Sequence, residues 1–414
     1  MAGKKEMQRE RKRAGKMKIL MVNKFLYPNG GSETYIFRLG EELTRLGNEV
    51  QYFGMEHEGR IVGNHAGCYT SDMDFHGGGL RKLVYPFKII YSVEARRKIR
   101  RVLEDFQPDV VHLNNFNFQL TPSILYEINR YSRKKKKIKI VFTAHDCQLV
   151  CPNHLMRIPA TGENCERCID GKFGNCTRHR CIHNSLLKSI LGSAEGYLYR
   201  ILKTYRLIDC VICPSYFMEK KMEKVPGFQG KTVVMHNFVD AAEVKNCEKK
   251  AYVLYFGRYS EEKGIRTLLS ACRQLPEIPF MFAGNGPLEK EVNLVPNVKN
   301  MGFLRGEQLR KIIEEAKFCV FPSECYENCP FSVLEAQSCG TPVLGAAIGG
   351  IPELIRDGET GTLFESGNRE QLCQKISELW GDQKRLERYA ENCRNTLFDT
   401  PEQYCKKLLK LYRK

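Results

Sequence analysis

Short apolar runs recur along the 414-residue chain, and each is followed by a segment with helical periodicity. The first run is Lys18–Asn23; a loop at Gly30-Gly31 then opens a helix pattern before the next run, Glu49–Phe53. Runs that are apolar throughout are typical of parallel strands covered by helices on both faces. The pattern therefore predicts α/β domains built on doubly wound parallel sheets.

The apolar runs fall into two series, which predict two domains. Six predicted strands precede residue 240, at 18–23, 49–53, 109–113, 138–144, 209–214 and 232–235. Five more follow at 252–257, 280–284, 298–302, 318–322 and 342–345. Ligands of such folds bind beyond the carboxyl ends of the strands, so we expect the site in a cleft between the domains. We predict a basic, disordered tail at 1–16, a first domain at 17–245, a second domain at 246–385 and a C-terminal helical segment at 386–414 that crosses back to the first domain.

Positive charge is concentrated in the first half of the chain. Residues 1–16 carry a net charge of +5, residues 17–240 carry +11 and residues 241–414 carry +1. Such a surface attracts the phosphates of nucleic acid, anionic lipid or a phosphorylated ligand, or it keeps the protein in solution. The sequence lacks a helix-turn-helix, a paired-aromatic RNA motif and zinc-finger histidine spacing, so a nucleic-acid-binding protein is the less favoured hypothesis and no nucleic-acid partner is expected.

Charged and glycine-rich loops follow the predicted strands of the second domain. Arg258 and Lys263 come after its first strand and are placed to neutralise a diphosphate, although a solvated surface pair is the alternative. Glu327 and Glu335 flank the start of a helix, so one carboxylate can reach a sugar hydroxyl and the other a ribose. Solvated acids or helix-dipole partners are the alternative for these glutamates.

These motifs together resemble those of the retaining GT-B glycosyltransferases of family 4. The resemblance covers nearly the whole chain from Met17 and is most specific in the second domain. It implies the GT-B fold, with two Rossmann-like domains facing each other across a cleft. The matching segments are Gly257-Arg258, Glu262-Lys263-Gly264, Gly284-Asn285-Gly286-Pro287, the Glu327 and Glu335 pair, and residues 338–343, 349–353 and 358–361.

The resemblance also implies roles for individual residues. Arg258 and Lys263 would hold the donor pyrophosphate, Glu335 the ribose, and Glu327 the donor sugar near its reacting carbon. His145 matches the active-site histidine of the family, and Gly31 would line the acceptor side beside the phosphate. The remaining residues of the implied nucleotide-sugar site are Gly284, Gly286, Phe331, Ser332 and Val333.

The reaction implied is transfer of a hexosyl or N-acetylhexosaminyl group from a UDP or GDP sugar with retention of configuration. Cationic side chains and helix N-termini would stabilise the leaving diphosphate, so catalysis is expected to need no metal and no further cofactor. Pro330 replaces a glycine found in many members and has no N–H to donate, which leaves the identity of the donor sugar open. A hydrolase acid and nucleophile pair is the less favoured interpretation of the two glutamates.

Six of the eighteen cysteines lie between residues 147 and 181, in a predicted insertion spanning 147–183. Thiolates at short spacings suit tetrahedral zinc, and an iron–sulfur cluster or structural thiols are the alternatives. We therefore expect a structural zinc ion in the first domain. Its predicted ligands are Cys165, Cys168, Cys176 and Cys181.

A basic segment with interspersed aromatics spans residues 81–101. Leu83, Phe87, Ile90 and Tyr91 share one helical face among basic residues, which suits an anionic membrane surface. An amphipathic helix facing the core is the alternative.

We expect a cytoplasmic enzyme of cell-surface polysaccharide biosynthesis, peripheral on the inner face of the membrane, with a glycan or lipid-linked glycan acceptor. The N-terminal residues lack the apolar stretch of a secretory signal, and no run reaches the roughly 18 apolar residues of a membrane span. A GT-B enzyme with a small soluble sugar acceptor is the alternative.

Overall fold

A computed structural model describes residues 15–71, 90–240 and 247–414 of the chain. The first half forms a six-stranded parallel sheet in the order β2-β1-β3-β4-β5-β6. Its register pairs Val22 of β1 with both Phe53 of β2 and Leu113 of β3. The strands are β1 Lys18–Val22, β2 Glu49–Phe53, β3 Val110–Leu113, β4 Lys139–Thr143, β5 Cys210–Cys213 and β6 Thr232–Val234.

The second half forms another six-stranded parallel sheet, in the order β12-β11-β10-β7-β8-β9. The first strand of this series, β7, lies between β8 and β10, so the strand order reverses at its carboxyl end and creates a crevice there. The strands are β7 Val253–Phe256, β8 Phe280–Ala283, β9 Val298–Asn300, β10 Phe318–Phe321, β11 Val343–Ala346 and β12 Gly361–Phe364. The predicted fold class, two doubly wound Rossmann-like domains of GT-B type, is confirmed.

Amphipathic helices follow most strands and bury their apolar residues against the sheets. The first half contains α1 Gly31–Arg45, α2 Val93–Phe106, α3 Ile124–Lys134, α4 Gly174–Arg178, α5 Leu186–Ile201 and α6 Tyr216–Met222. The second half contains α7 Ile265–Gln274, α8 Glu289–Val292, α9 Gly306–Glu315, α10 Phe331–Ser338, α11 Ile351–Leu354, α12 Arg369–Gly381, α13 Gln383–Arg394 and α14 Pro401–Arg413. Short 3-10 helices lie at Thr204–Leu207 and Glu261–Lys263.

The C-terminal helices divide between the two domains. Leu386 and Tyr389 of α13 belong to the core of the second domain. Tyr404 and Leu408 of α14 are fully buried in a core that surrounds β1 and α1 of the first domain. The crossing back is therefore made by α14, which begins with a capping box at Thr400 and a proline in its first turn.

The predicted domain borders stay predictions at this level of detail. The border between 245 and 246 and the tail at 1–14 lie outside the described residues. The border between 385 and 386 falls inside α13. Among the helices of the described ranges, none combines the length and the apolar character needed to cross a bilayer.

The basic segment 81–101 divides at the edge of the described chain. Residues 81–89, with Leu83 and Phe87, lie outside the described residues. The described part leads into α2, whose apolar residues Ala95 and Ile99 are fully buried, while Arg96 and Arg100 both pair with the buried Glu127. The apolar face of α2 therefore packs in the core, whereas the membrane interpretation of the face formed by Leu83, Phe87, Ile90 and Tyr91 stays a prediction.

Candidate functional site

A cleft of about 510 Å³ lies between the two sheets, at the carboxyl ends of their strands. Both domains contribute to its walls, as expected for a ligand site at topological switch points. Seven of the residues predicted for the site line it, namely Gly31, His145, Arg258, Lys263, Glu327, Phe331 and Ser332.

Two helix N-termini face this cleft from opposite domains. Helix α1 begins at Gly31, and helix α10 begins at Phe331. A Cβ added to Gly31 would meet the Phe331 ring at 3.9 Å, so the two helix starts approach each other closely. The first-turn amides of a helix have no intrahelical acceptor and carry a partial positive charge. With the exposed Arg258, they give this part of the cleft the character of an anion-binding site.

Lys263 and Glu327 form an ion pair within the cleft. The Lys263 Nζ atom lies 2.5 Å from Glu327 Oε1, and Ser323 Oγ donates to the same carboxylate oxygen over 2.7 Å. Burial alone would lower the pKa of the Lys263 ammonium, but the Glu327 carboxylate outweighs it and the pKa is raised. The Lys263 ammonium therefore stays charged, in the segment that follows β7.

Glu335 lines an adjoining cleft of about 880 Å³ rather than the first one. Arg38 of α1 lines the same cleft from the other domain and contacts Asp240. Burial raises the pKa of the Glu335 carboxyl, and the Arg38 charge counteracts part of that rise. The two glutamates therefore occupy different subsites, with Glu335 facing a cation supplied by the first domain.

His145 follows β4 and is oriented by Asn114, which follows β3. The His145 Nε2 atom lies 2.9 Å from Asn114 Oδ1, an oxygen that only accepts, so Nε2 donates and Nδ1 carries the lone pair. Burial lowers the pKa of His145 to about 4, although Asp146 opposes this shift. The ring of Tyr35 packs edge-on against the imidazole, with centroids 4.9 Å apart. The histidine is therefore neutral at physiological pH and fixed in one tautomer.

Three predicted residues do not contact either cleft through a side chain. A Cβ added to Gly284 would lie 1.9 Å from the Gly257 carbonyl oxygen, so Gly284 permits the close approach of the loop that carries Arg258. Gly286 packs in the same way against the Tyr259 backbone. Val333 is fully buried in the core of the second domain. The two glycines allow the loops after β7 and β8 to pack closely, and the predicted ligand contacts of all three residues stay predictions.

The loop after β10 and helix α11 both make polar contacts with the first domain. The Asn328 amide donates to the Ala144 carbonyl oxygen over 2.8 Å and accepts from Ser215 Oγ over 2.7 Å. Glu353 accepts from the backbone N–H groups of Tyr216 and Phe217, each over 2.7 Å. Asn328 and Glu353 thus both form hydrogen bonds with the N-terminus of α6, which lies in the first domain.

The cysteine-rich insertion also reaches the second domain. Arg157 forms an ion pair with Glu324, at 3.6 Å, and the Asn164 amide donates to the Glu324 carbonyl oxygen over 2.9 Å. Tyr326 donates through its hydroxyl to Glu166, at 3.0 Å. The insertion therefore braces residues 324–326, directly before Glu327.

The arrangement of the cysteines does not support the predicted zinc site, and its ligand set stays a prediction. Cys176 lies beside Cys181, and Cys151, which was not among the predicted ligands, lies beside Cys168. Cys168, Cys176 and Cys181 are buried with Ile158 and Phe173 in a small hydrophobic cluster, and Cys165 lies at its edge. Over the described ranges, no three His, Cys, Asp or Glu side chains converge as metal ligands. These thiols pack as small apolar side chains.

Sequence reasoning missed four residues that shape the site: Arg38, Asn114, Asn328 and Glu353. Arg38 and Asn114 lie in an ordinary helix and strand end, and only the packing of the domains brings them to a cleft. Asn328 and Glu353 lie within the second-domain motifs. Their position beside the acidic residues was the available signal, but their partners are 113 and 137 residues away in the sequence.

Comparison with known families matches almost the whole chain. The family described as Glycosyltransferase Family 4 matches residues 29–243, and the family described as Glycosyl transferases group 1 matches residues 239–396. The first of these matches alone covers more than half of the chain.

Individual relatives share limited sequence identity with this chain. The chain is 37% identical to the sulfoquinovosyl transferase SQD2 of Arabidopsis thaliana over 146 residues, which are 34% of this chain and 28% of that protein. It is 22% identical to the gpi3 subunit of the phosphatidylinositol N-acetylglucosaminyltransferase of Schizosaccharomyces pombe, over 87% of this chain and 72% of that one. The crystal structure of Anabaena HepE in complex with UDP superposes with a TM-score of 0.67 and 17% identity, over 96% of this chain and 100% of HepE. The match to SQD2 thus spans less than a third of its length.

Proposed function

The chain belongs to glycosyltransferase family 4, and on that premise we propose that it transfers a sugar, with retention of configuration, from a UDP sugar to a glycan or lipid-linked glycan. The observation that carries this proposal is the convergence of two helix N-termini, Arg258 and Lys263 on one cleft between the domains. The choice of UDP is supported by HepE, which was crystallised with that nucleotide.

The donor would bind across the two adjoining clefts. Arg258 and the helix N-termini hold the diphosphate, because both supply positive charge and N–H donors to phosphate oxygens. Glu335 accepts hydrogen bonds from the ribose hydroxyls in the larger cleft, where Arg38 balances its charge. The hexosyl or N-acetylhexosaminyl group then lies near Glu327 and His145, which share the smaller cleft.

Negative charge builds up on the diphosphate as its bond to the anomeric carbon breaks. Arg258 and the Lys263 ammonium stabilise this charge, which supports transfer without a metal ion. The acceptor hydroxyl attacks the anomeric carbon from the face that the diphosphate leaves, and the leaving phosphate takes the proton of that hydroxyl. Neutral His145 presents the unprotonated Nδ1 and therefore accepts a hydrogen bond from a sugar hydroxyl instead of acting as an acid.

A glycoside hydrolase mechanism is disfavoured by the placement of the two glutamates. Such enzymes flank one scissile bond with two carboxyl groups, roughly 5 to 10 Å apart. Glu327 is committed to Lys263 and Ser323 in the smaller cleft, and Glu335 lies in the larger one. The two carboxyl groups are therefore not placed on either side of one sugar.

One of the relatives named above supports an acceptor that is part of a lipid. The gpi3 subunit belongs, by name, to a phosphatidylinositol N-acetylglucosaminyltransferase. We further propose that the enzyme acts at the cytoplasmic face of a membrane, in the assembly of cell-surface polysaccharide.

Calorimetric titration of UDP, GDP and ADP into the full chain tests the donor site. We expect UDP to bind most tightly, and Arg258→Ala and Glu335→Ala each to weaken it about tenfold to a hundredfold, because each loses a charge-assisted hydrogen bond. Arg273→Ala is the matched control, an exposed arginine in the same domain whose loss should leave binding unchanged. Absence of nucleotide binding, or wild-type affinity in both site variants, would refute the proposal. Hydrolysis of UDP-glucose and UDP-N-acetylglucosamine then identifies the sugar.

A further inference from the structure

Helix α5, Leu186–Ile201, exposes a continuous apolar face to solvent. Five of its large apolar side chains are between 39% and 74% exposed. At 3.6 residues per turn their positions fall within an arc of about 100° around the helix axis. They are Leu186, Leu187, Ile190, Tyr197 and Ile201, and this set is the apolar face of α5.

The opposite side of α5 is buried although it consists largely of small and polar residues. Ser189 Oγ accepts from the Ile182 N–H over 3.0 Å, and Ser193 Oγ donates to the Phe173 carbonyl oxygen over 2.8 Å. Gly192 and Glu195 are buried on the same side. Because the hydrogen bonds of these serines are satisfied within the protein, the helix is fixed with its apolar face outward. The helix therefore buries its small and polar side and exposes its apolar side, which is the reverse of an ordinary surface helix.

The chain segment that contains the apolar face is strongly basic. Residues 172–206 contain seven lysines and arginines but only one carboxyl group, that of Glu195. Burial raises the pKa of Glu195 to about 8, so it supplies little negative charge at neutral pH. Across this described stretch no cation pairs with a carboxylate, whereas Arg96 and Arg100 elsewhere in the domain both do. The seven are Lys172, Arg178, Arg180, Lys188, Arg200, Lys203 and Arg206.

We propose that the apolar face of α5 and its basic surroundings dock on an anionic membrane surface, with the helix lying in the plane of the interface. An exposed row of Leu, Ile and Tyr enters the boundary between headgroups and acyl chains, while unpaired lysines and arginines attract acidic lipid. This inference deepens the proposed function and rests on it for one point, that the acceptor is met at a membrane.

Charge decides between a membrane and the other occupants of this face. A second copy of the chain would bring seven further cations against the first seven, and like charges facing each other are destabilising. A nucleic acid would match the charge, but aliphatic Leu and Ile side chains offer bases no stacking platform. Acidic lipid satisfies both the apolar and the basic character of the surface.

The docking face is connected to the candidate site through the cysteine-rich insertion. Phe173 packs against Tyr197 with ring centroids 5.3 Å apart, and Thr177 and Ser193 share a hydrogen bond of 2.9 Å. The same insertion places Leu155, which is 40% exposed, on the wall of the smaller cleft. A membrane bound by α5 would therefore contact a unit that also forms the acceptor side.

Flotation with lipid vesicles tests the proposal on the full chain. The vesicles contain phosphatidylcholine alone or phosphatidylcholine with about 30 mol% phosphatidylglycerol, an acidic lipid. We expect binding to the acidic vesicles, weakened steeply by salt because the Debye length shortens. Ile190→Glu/Ile201→Glu should lower the partition coefficient at least about tenfold, and Lys188→Ser/Lys203→Ser about fivefold for each charge removed.

The matched control is Leu294→Glu/Leu397→Glu, which changes two residues of the second half that are 76% and 96% exposed. The proposal is overturned if this control loses as much binding as the α5 variant, or if the α5 variant still binds. Equal binding to neutral and acidic vesicles, or a wild-type dimer that Ile190→Glu/Ile201→Glu dissolves, would also overturn it. UDP titration on the same preparations separates the two proposals. Wild-type UDP affinity in the α5 variant shows a folded donor site, and absence of UDP binding in all proteins refutes only the donor proposal.

Discussion

Glu353 offers the sharpest single test of how the two domains are held together. Its carboxylate belongs to the second domain but accepts from Tyr216 N–H and Phe217 N–H, each over 2.7 Å, at the start of α6 in the first domain. His236 Nε2 lies 3.2 Å from the same group. The side chain of Glu353 is 18% exposed, so water replaces these interactions only in part.

The expected cost follows from these contacts. A hydrogen bond to a charged group contributes about 1.5 to 3 kcal/mol, and loss of a helix cap costs about 0.5 to 2 kcal/mol. For Glu353→Ala we expect about 2 to 3 kcal/mol, because two amides lose their acceptor and partial solvation offsets the rest. Glu353→Gln keeps one acceptor oxygen and should cost about half as much.

Thermal unfolding measures this loss. An unfolding entropy of about 2.1 cal/mol/K per residue predicts a decrease in the melting temperature of about 3 °C for Glu353→Ala if both domains unfold together. UDP affinity should fall much less than transfer, because Arg258, Lys263 and Glu335 all belong to the second domain and the first domain adds only the start of α1 and Arg38. Sugar transfer should fall by up to about 30-fold, the equivalent of 2 kcal/mol, because the first domain is no longer held over the donor.

Glu359→Ala provides the control, since Glu359 is an exposed glutamate of the same domain whose carboxylate pairs with nearby Arg356 at 3.3 Å. If Glu353→Ala melts at the same temperature as Glu359→Ala, the bonds to α6 do not stabilise the domain contact. If UDP affinity falls as much as transfer does, Glu353 acts on the donor site itself and the reasoning fails.

Three further predictions concern the first domain. Asn114→Asp places a carboxylate beside His145 Nε2 and should raise the histidine pKa from about 4, so that the acid limb of the pH–activity profile moves upward; an unchanged profile would contradict the orienting role of Asn114. Burial raises the pKa of Glu195 to about 8, above the value in the unfolded chain. The buried carboxyl therefore destabilises the protein increasingly as the pH rises from about 4.5 to 8. Melting curves should show that Glu195→Gln gains stability over wild type across that window and does not differ from it at lower pH. Leu408→Ala removes a fully buried side chain where α14 packs on the first domain and should cost about 2 to 5 kcal/mol in urea unfolding, whereas a loss below 1 kcal/mol would mean that α14 packs loosely.

The strands and the site loops could be predicted with little error. Eleven of the twelve strands lie within the predicted runs or differ from them by a residue, because a strand buried on both faces has to be apolar throughout. The exception is β12, Gly361–Phe364, whose first two residues, Gly361 and Thr362, do not form an apolar run. Seven predicted residues line one cleft, since loops at the carboxyl ends of parallel strands meet at one edge of each sheet.

The cysteine segment shows where spacing ceases to be informative. Cys165 and Cys168 are three residues apart, yet the structure places Cys168 beside Cys151 and leaves Cys165 at the edge of the cluster. Short spacing limits how far apart two thiols can lie, but it does not decide which way each side chain points. That choice depends on the packing around Ile158 and Phe173.

The sequence by itself determined the alternation of strands and helices, the division into two sheets and the loops that carry Arg258, Lys263 and Glu327, since all of these follow from local periodicity and spacing. Only the tertiary structure decided that Arg38 faces Glu335, that Asn114 orients His145 and that Glu353 binds the start of α6. It also decided that α5 turns its apolar side to solvent while α2 turns its own to the core. Helical periodicity defines an apolar face, but which face is buried depends on the shape and hydrogen-bonding groups of the surface against which the helix packs.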